Sequence, residues 1–317
     1  MKVGFSMRKY LLFAAAFSLL LMCSGCENSF SPTGDYQKQL VVYGVLSNRS
    51  DSQYVRVYTT YDLSGRDPAE QTTDTGVRGA RVMMMDDSTT YGFKETAIPR
   101  DDTARYSSNV VGYVGFPCRL RPGKKYSLAI ISDQGNATAT VSVPGKGYVF
   151  NYSPSAFQAP RLSADNIHVI IGLSAEAQGY LVRLFINFDV RNGQNWEHRR
   201  LEVPSFGDSL MTPGKYGYST LTRRPAYSSF NIDFAHDAYL GVLKQQIEGR
   251  YGKSFQLTSA TFILTQVEPN LYHYYSVANG FQDPYSIRMD QPDFTNIVGG
   301  VGVFGAMVED SVVVNLY

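Results

Sequence analysis

Short runs of strand-forming residues, cut at close intervals by turn residues, constrain this chain more than any other feature. LVVYGVL at 40–46, YVRVYTTY at 54–61, ARVMMMD at 80–86, KYSLAII at 125–131 and ATATVSV at 137–143 have the length and β-branched content of strands. Arg121-Pro122-Gly123 and Asp133-Gln134-Gly135 punctuate them. That spacing fits a small antiparallel sandwich and leaves no room for the helices of βαβ units. Further on, Tyr180 to Val190 alternates, with Tyr180, Val182, Leu184, Ile186, Phe188 and Val190 on one side and Arg183, Asn187 and Asp189 on the other. Asn192-Gly193 then predicts a hairpin into 196–203. Helical spacing of Tyr239, Val242, Leu243 and Ile247 predicts a helix over 236–249, with Asp237 as its N-cap. A second short helix is predicted after Pro269, carrying Leu271, Tyr274, Tyr275 and Ala278 and stopping at Gly280, with a strand over 257–267 between the two. The end reads as a hairpin, 301–308 and 312–316, turning at Glu309-Asp310. The predicted fold class is all-β: two β-sandwich-like domains, the second β-rich with one or two short helices.

The N-terminal stretch sets location. Arg8 and Lys9 precede an uncharged apolar run from Leu11 to Met22, followed by Ser24-Gly25-Cys26. The run is below the roughly 20 residues that span a bilayer, so it reads as a secretory signal. Ser-Gly-Cys resembles the lipobox of bacterial lipoproteins, although Cys23 stands where an aliphatic residue is usual. That resemblance implies removal of residues 1–25 and acylation of Cys26, with the bilayer as its partner. Residues 26–37 are polar and rich in Ser, Pro and Gly, as a tether is. The 317 residues less 25 leave 292, a length for two domains, and Pro144-Gly145-Lys146-Gly147 marks their boundary. The expected division is therefore 38–145 and 146–317.

Charge excludes a polyanion partner. The signal carries three basic residues and no acid, leaving 26 basic and 28 acidic residues, a net charge of −2. Nucleic acid is not an expected partner, since no basic run exceeds Arg199-Arg200 or Arg223-Arg224, which read as solvated strand ends. Once Cys23 is removed and Cys26 acylated, Cys118 is the one remaining thiol. Its apolar setting after Phe116-Pro117 predicts a buried, inert side chain.

The motifs that carry chemistry elsewhere fail on context. Gly300-Val301-Gly302-Val303-Phe304-Gly305 matches the dinucleotide-binding glycine pattern but runs into further strand residues instead of opening a helix. Its glycines read as places of close backbone approach in the second domain, and no cofactor is expected. His168, His198, His236 and His273 lie on separate elements without metal-ligand spacing, and Asp86-Asp87 and Asp101-Asp102 lack a calcium-loop pattern, so no metal is expected. No nucleophile motif is present and no catalytic residue is assigned. Aromatic clustering is the feature that points to recognition: Tyr54, Tyr58 and Tyr61 on one strand, Tyr272, Tyr274 and Tyr275 on one helix. Exposed tyrosines serve binding, and half-buried ones serve the edge of a core.

The order of lipobox, LVVYGVL, GVRGARVMMMD at 76–86, LRPGKKYSLAI at 120–130, ATVSVP at 139–144 and NIVGGVGVFG at 296–305, the last preceded by Asp283-Pro284, resembles outer-membrane lipoproteins of Bacteroidota known only as domain of unknown function 4249. That family usually has Glu where Tyr43 stands. The resemblance implies a first domain similar to transthyretin-like or carboxypeptidase-regulatory domains, a second β-rich domain, and a place at the outer membrane beside TonB-dependent transporters. It assigns no catalytic residue. The expected function is thus a non-catalytic binding or assembly role in an envelope complex. The alternatives are a surface glycan or peptide binder and an envelope hydrolase with scattered residues.

Overall fold

The computed structural model describes residues 36–62, 67, 72, 74–100, 109–151, 166–205, 217–278 and 294–316. Cys26 with the signal segment, Asp101-Asp102, Gly280 and Asp283-Pro284 lie outside them. Lys38–Tyr317 forms one compact unit. It opens with β1 (Leu40–Ser47) and β2 (Gln53–Thr59), paired antiparallel, each burying alternate residues. β3 (Arg81–Met85), β4 (Thr90–Ile98), β5 (Val110–Gly115), β6 (Lys125–Ser132) and β7 (Gly135–Ser142) extend the sheet in the order β1-β2-β5-β4-β3-β6-β7. On the free side of β1 lies the last strand, β15 (Gly300–Asn315), parallel to it with Leu40 opposite Gly300. β7 then returns to this strand: Thr138 and Val298 exchange backbone hydrogen bonds of 2.9 and 2.8 Å. Eight strands thereby enclose a core that includes Val42, Leu46, Met84, Tyr113, Tyr126, Leu128 and Phe304. Full burial of one such apolar side chain stabilises by about 1.5–3 kcal/mol. Tyr113 is tolerated there because its hydroxyl donates to the Val77 carbonyl at 2.7 Å and accepts from the Ala80 N–H at 3.0 Å. Cys118 is fully buried, and burial pushes its thiol up to about 11.

A second core follows. β8 (Tyr148–Asn151), β9 (Ile167–Gly172) and β13 (Ser229–Phe234) make a three-stranded sheet in the order β13-β9-β8. Against it stand β10 (Gly179–Asn192), β11 (Asn195–Val203), β14 (Phe255–Val267) and the far half of β15. β12 (Thr222–Arg223) pairs with the start of β10. The predicted alternation holds: Val182, Leu184, Ile186 and Phe188 meet Ile167, Val169, Ile171 and Phe234 across the sandwich. The predicted hairpin also forms, with Gly193 at φ 63° and Asn192 opposite Asn195. A helical segment, His236–Gly241, Val242–Glu248 and Gly249–Tyr251, closes one end of this core with Leu243 and Ile247. Its N-cap is Ala235 without a side-chain hydrogen bond, and Asp237 lies in the first turn instead of capping. The helix Pro269–Ala278 lies on the outer face of β15 and is capped by Glu268, whose carboxylate accepts from the Asn270 and Leu271 N–H groups at 2.8 and 2.7 Å.

Two expectations about the end of the chain are corrected. No turn occurs at Glu309-Asp310: β15 runs unbroken, with Glu309 opposite Thr265 and Asp310 opposite Leu264. Both acids are engaged where they stand, Glu309 by Arg49 at 3.1 Å and Asp310 by the Gly147 N–H at 2.9 Å. Phe304 belongs to the first core and not to the second, because the near half of β15 pairs with β1. The glycines do permit close backbone approach. A Cβ at Gly302, where φ is +113°, would sit 2.1 Å from the Val42 carbonyl oxygen. Pro144-Gly145-Lys146-Gly147 lies between the strands of the two cores, since β7 ends at Ser142 and β8 begins at Tyr148. β15 nonetheless serves both.

Candidate binding groove

Strand β13 alternates as SFNIDF, placing Phe230, Ile232 and Phe234 toward the second core and Ser229, Asn231 and Asp233 outward. Among the described residues it has a strand neighbour on one side only, β9. The other side borders a recess of about 540 Å³, within the usual range for ligand sites. Asn231, Ile232 and Asp233 line it in succession. Three consecutive residues on one wall mean that the strand presents its edge, because a face would show every second residue. Tyr180 of β10 and Tyr218 stand opposite, with the hydroxyls of Ser219, Thr220 and Thr222 beside them. Tyr180 is held edge-on to Phe230 with ring centroids 5.2 Å apart, whereas Tyr218 is 57% exposed. Asp233 hydrogen-bonds His168 Nδ1 at 2.7 Å across the β13–β9 pair. The recess thus offers hydroxyls, an amide, a carboxylate, two phenol rings and a strand edge. Those groups suit reversible binding of a polar, extended ligand.

The tyrosines singled out in the sequence lie elsewhere. Tyr58 and Tyr274 approach each other around Tyr43 of β1, whose hydroxyl is 2.9 Å from that of Tyr275 and whose ring is 6.0 Å from Tyr274. All four are half-buried. Burial, then the bond to Tyr275, holds the Tyr43 phenol well above its ordinary range, and burial likewise raises Tyr58. Arg56 stacks over Tyr58 at 4.6 Å and reaches Asp74 at 3.3 Å, where Arg100 also binds. Tyr272 packs where a Cβ on Gly179 would intrude to 2.4 Å. These contacts seat the helix Pro269–Ala278 on the sheet. Tyr54 is 52% exposed on the face of β2 that also carries Arg56 and Tyr58, and Tyr61 is half-buried beyond the strand end. No group of three or more His, Cys, Asp or Glu is placed to hold a metal among the described residues. The groove residues escaped sequence reading because Tyr180 belongs to a core-facing alternation and Tyr218 to no element. The legible signal was the alternation of SFNIDF.

Fold and recess together define an all-β protein of two cores sharing one strand, with a polar groove along β13, the end strand of the smaller sheet among the described residues. The chain belongs to the family described as Domain of unknown function (DUF4249), whose model matches residues 27–312. No curated protein matches it. Among solved structures it is similar to the C-terminal globular domain of an oligosaccharyltransferase from Pyrococcus abyssi, at 11% identity and a TM-score of 0.22, covering 69% of this chain and 45% of that one. It is also similar to domains A168-A170 from titin, at 8% identity and a TM-score of 0.18, covering 87% of this chain and 66% of that one. The chain therefore spans less than half of the first of these structures.

Proposed function

We propose that this protein is a lipid-anchored component of a bacterial outer-membrane complex that binds a partner protein without catalysis, in the manner of an accessory to a TonB-dependent transporter. The edge of β13 in the polar groove, which has no strand neighbour among the described residues, carries this reading: backbone groups at such an edge accept an extended segment of another chain as an added strand. The apolar run ending in Ser24-Gly25-Cys26 supports the anchor, with acylated Cys26 holding the body at the membrane. A photo-crosslinking residue at Tyr218, introduced in cells, tests the partner. An adduct with an envelope protein is expected, and Asn231→Lys should abolish it. An adduct indifferent to Asn231→Lys rejects the groove as the docking edge. Metabolic labelling with a fatty-acid probe tests the anchor, and label retained in Cys26→Ser would refute it.

A surface glycan is the second reading, favoured by one observation. Tyr180 and Tyr218 place phenol rings beside hydroxyl and amide groups in the same recess, the combination that stacks on and hydrogen-bonds a sugar. Loss of oligosaccharide binding in Tyr218→Ala, with melting unchanged, would choose it over the protein partner.

A further inference from the structure

At the opposite end of the second core, two departures from regular structure converge on one cavity. Over Val242–Glu248 the helical segment is a π-helix, with the Gly249 N–H bonded to the Lys244 carbonyl five residues back. Such stretches are rare and occur frequently at functional sites. Gln245 and Gln246 of this stretch and Arg250 and Tyr251 of the turn after it line the cavity. Across the gap, the pairing of β10 with β14 shifts register between Asn187 and Phe188, a bulge of the kind found beside binding sites. Phe188 lines the same cavity, of about 560 Å³, together with Arg199 and Leu201 of β11. β11 is the edge strand of the large sheet.

The walls are basic. Arg199 and Arg250 face the cavity from strand and helix. Arg250 has no carboxylate partner among the described residues, its guanidinium lying 5.4 Å from the Tyr251 ring. Arg199 is bridged to Glu197 at 2.6 Å, and that carboxylate also accepts from Asn192, so an exchange of partner is open to Arg199. Gln245 and Gln246 add neutral amide donors. The planar forks of two arginines, approaching from different elements, match the oxygens of a phosphate group, and the Phe188 and Tyr251 rings supply an apolar wall beyond it.

We propose that this cavity is a binding site for a phosphate-bearing organic ligand, its phosphate held by Arg199 and Arg250 with Gln245 and Gln246 in support. A lipid headgroup and a soluble phosphate ester share that chemistry, and the test distinguishes them. Calorimetric titration of the full chain carrying Cys26→Ser uses two probes: glycerol 1-phosphate, and a short-chain phosphatidylglycerol kept below its micelle concentration. Saturable binding of both assigns recognition to the phosphate, and binding of the lipid alone assigns the headgroup with its chains. In either case Arg250→Gln should weaken it roughly 10-fold to 100-fold, as expected for a lost charge-assisted hydrogen bond. Arg199→Gln should weaken it likewise, with the melting transition of both variants unchanged. Binding of neither probe, or binding that survives both substitutions, overturns the proposal.

Discussion

The core within β1–β7 and the core within β8–β14 share β15, yet they finish their sheets in opposite ways. In the first, β7 curls back to bridge Val298 through Thr138. In the second, β13 and β11 each end a sheet with one side unpaired among the described residues, and both cavities described above lie along those edges. Closure stabilises by satisfying backbone groups, and it removes the means of adding another chain. The contrast is between a body whose sheet curls back on itself and one whose end strands keep one side unpaired among the described residues.

The largest effect should come from removing what the two bodies share. Truncation after Gly299 takes β15 from both cores, so we expect loss of cooperative unfolding and of amide-exchange protection in β6 as well as β10. Protection retained in β6 would show that the first body closes without β15. Next, Phe304→Ala should cost about 3–5 kcal/mol in denaturant titration, because the ring is fully buried inside the closed body. Smaller still, Gly305→Ala should cost about 1–3 kcal/mol. The added methyl would meet Leu271 Cβ at 2.8 Å and Glu268 Oε1 at 2.9 Å, lifting the helix Pro269–Ala278 while leaving the ring of strands intact.

The smallest effect concerns pH. Burial raises the carboxyl of Glu268 above its ordinary value of 4.5, against the backbone N–H groups that stabilise its anion. The folded state therefore holds the proton more tightly than the unfolded chain. Its stabilising contribution is full below 4.5 and is lost as pH climbs through the raised folded value. Melting temperature should fall across that window and be flatter in Glu268→Gln. An identical slope in the variant would assign the pH response to other groups.

Local pattern made much of this legible. The alternation from Tyr180 to Val190, the Asn192-Gly193 turn and the apolar spacing at Tyr239 to Ile247 each reappear as an element, because each depends on residues close in sequence. β4 was missed for a physical reason: of its nine residues only Phe93 is buried, so it has no apolar alternation to read. The Glu309-Asp310 turn was misread because acids inside a strand look like a break unless their distant partners, Arg49 and Gly147, are known. Both cavities depend on such partners as well. Arg199-Arg200 reads as a solvated strand end until the helical segment ending at Tyr251 brings Arg250 to the same cavity as Arg199, and no local signal announces that meeting. Among the tyrosines, clustering identified a contact, but the contact seats a helix.

Parallel pairing of β1 with β15 also governs timing. Leu40 and Gly300 are 260 positions apart, and the first body lacks its eighth strand until that distance has been closed. A chain delivered N-terminus first holds β1 through β7 ready with an open flank, and only the arrival of the last strand completes it. Contacts so remote in sequence are slow to form. Both bodies should then gain their final strand in one late step.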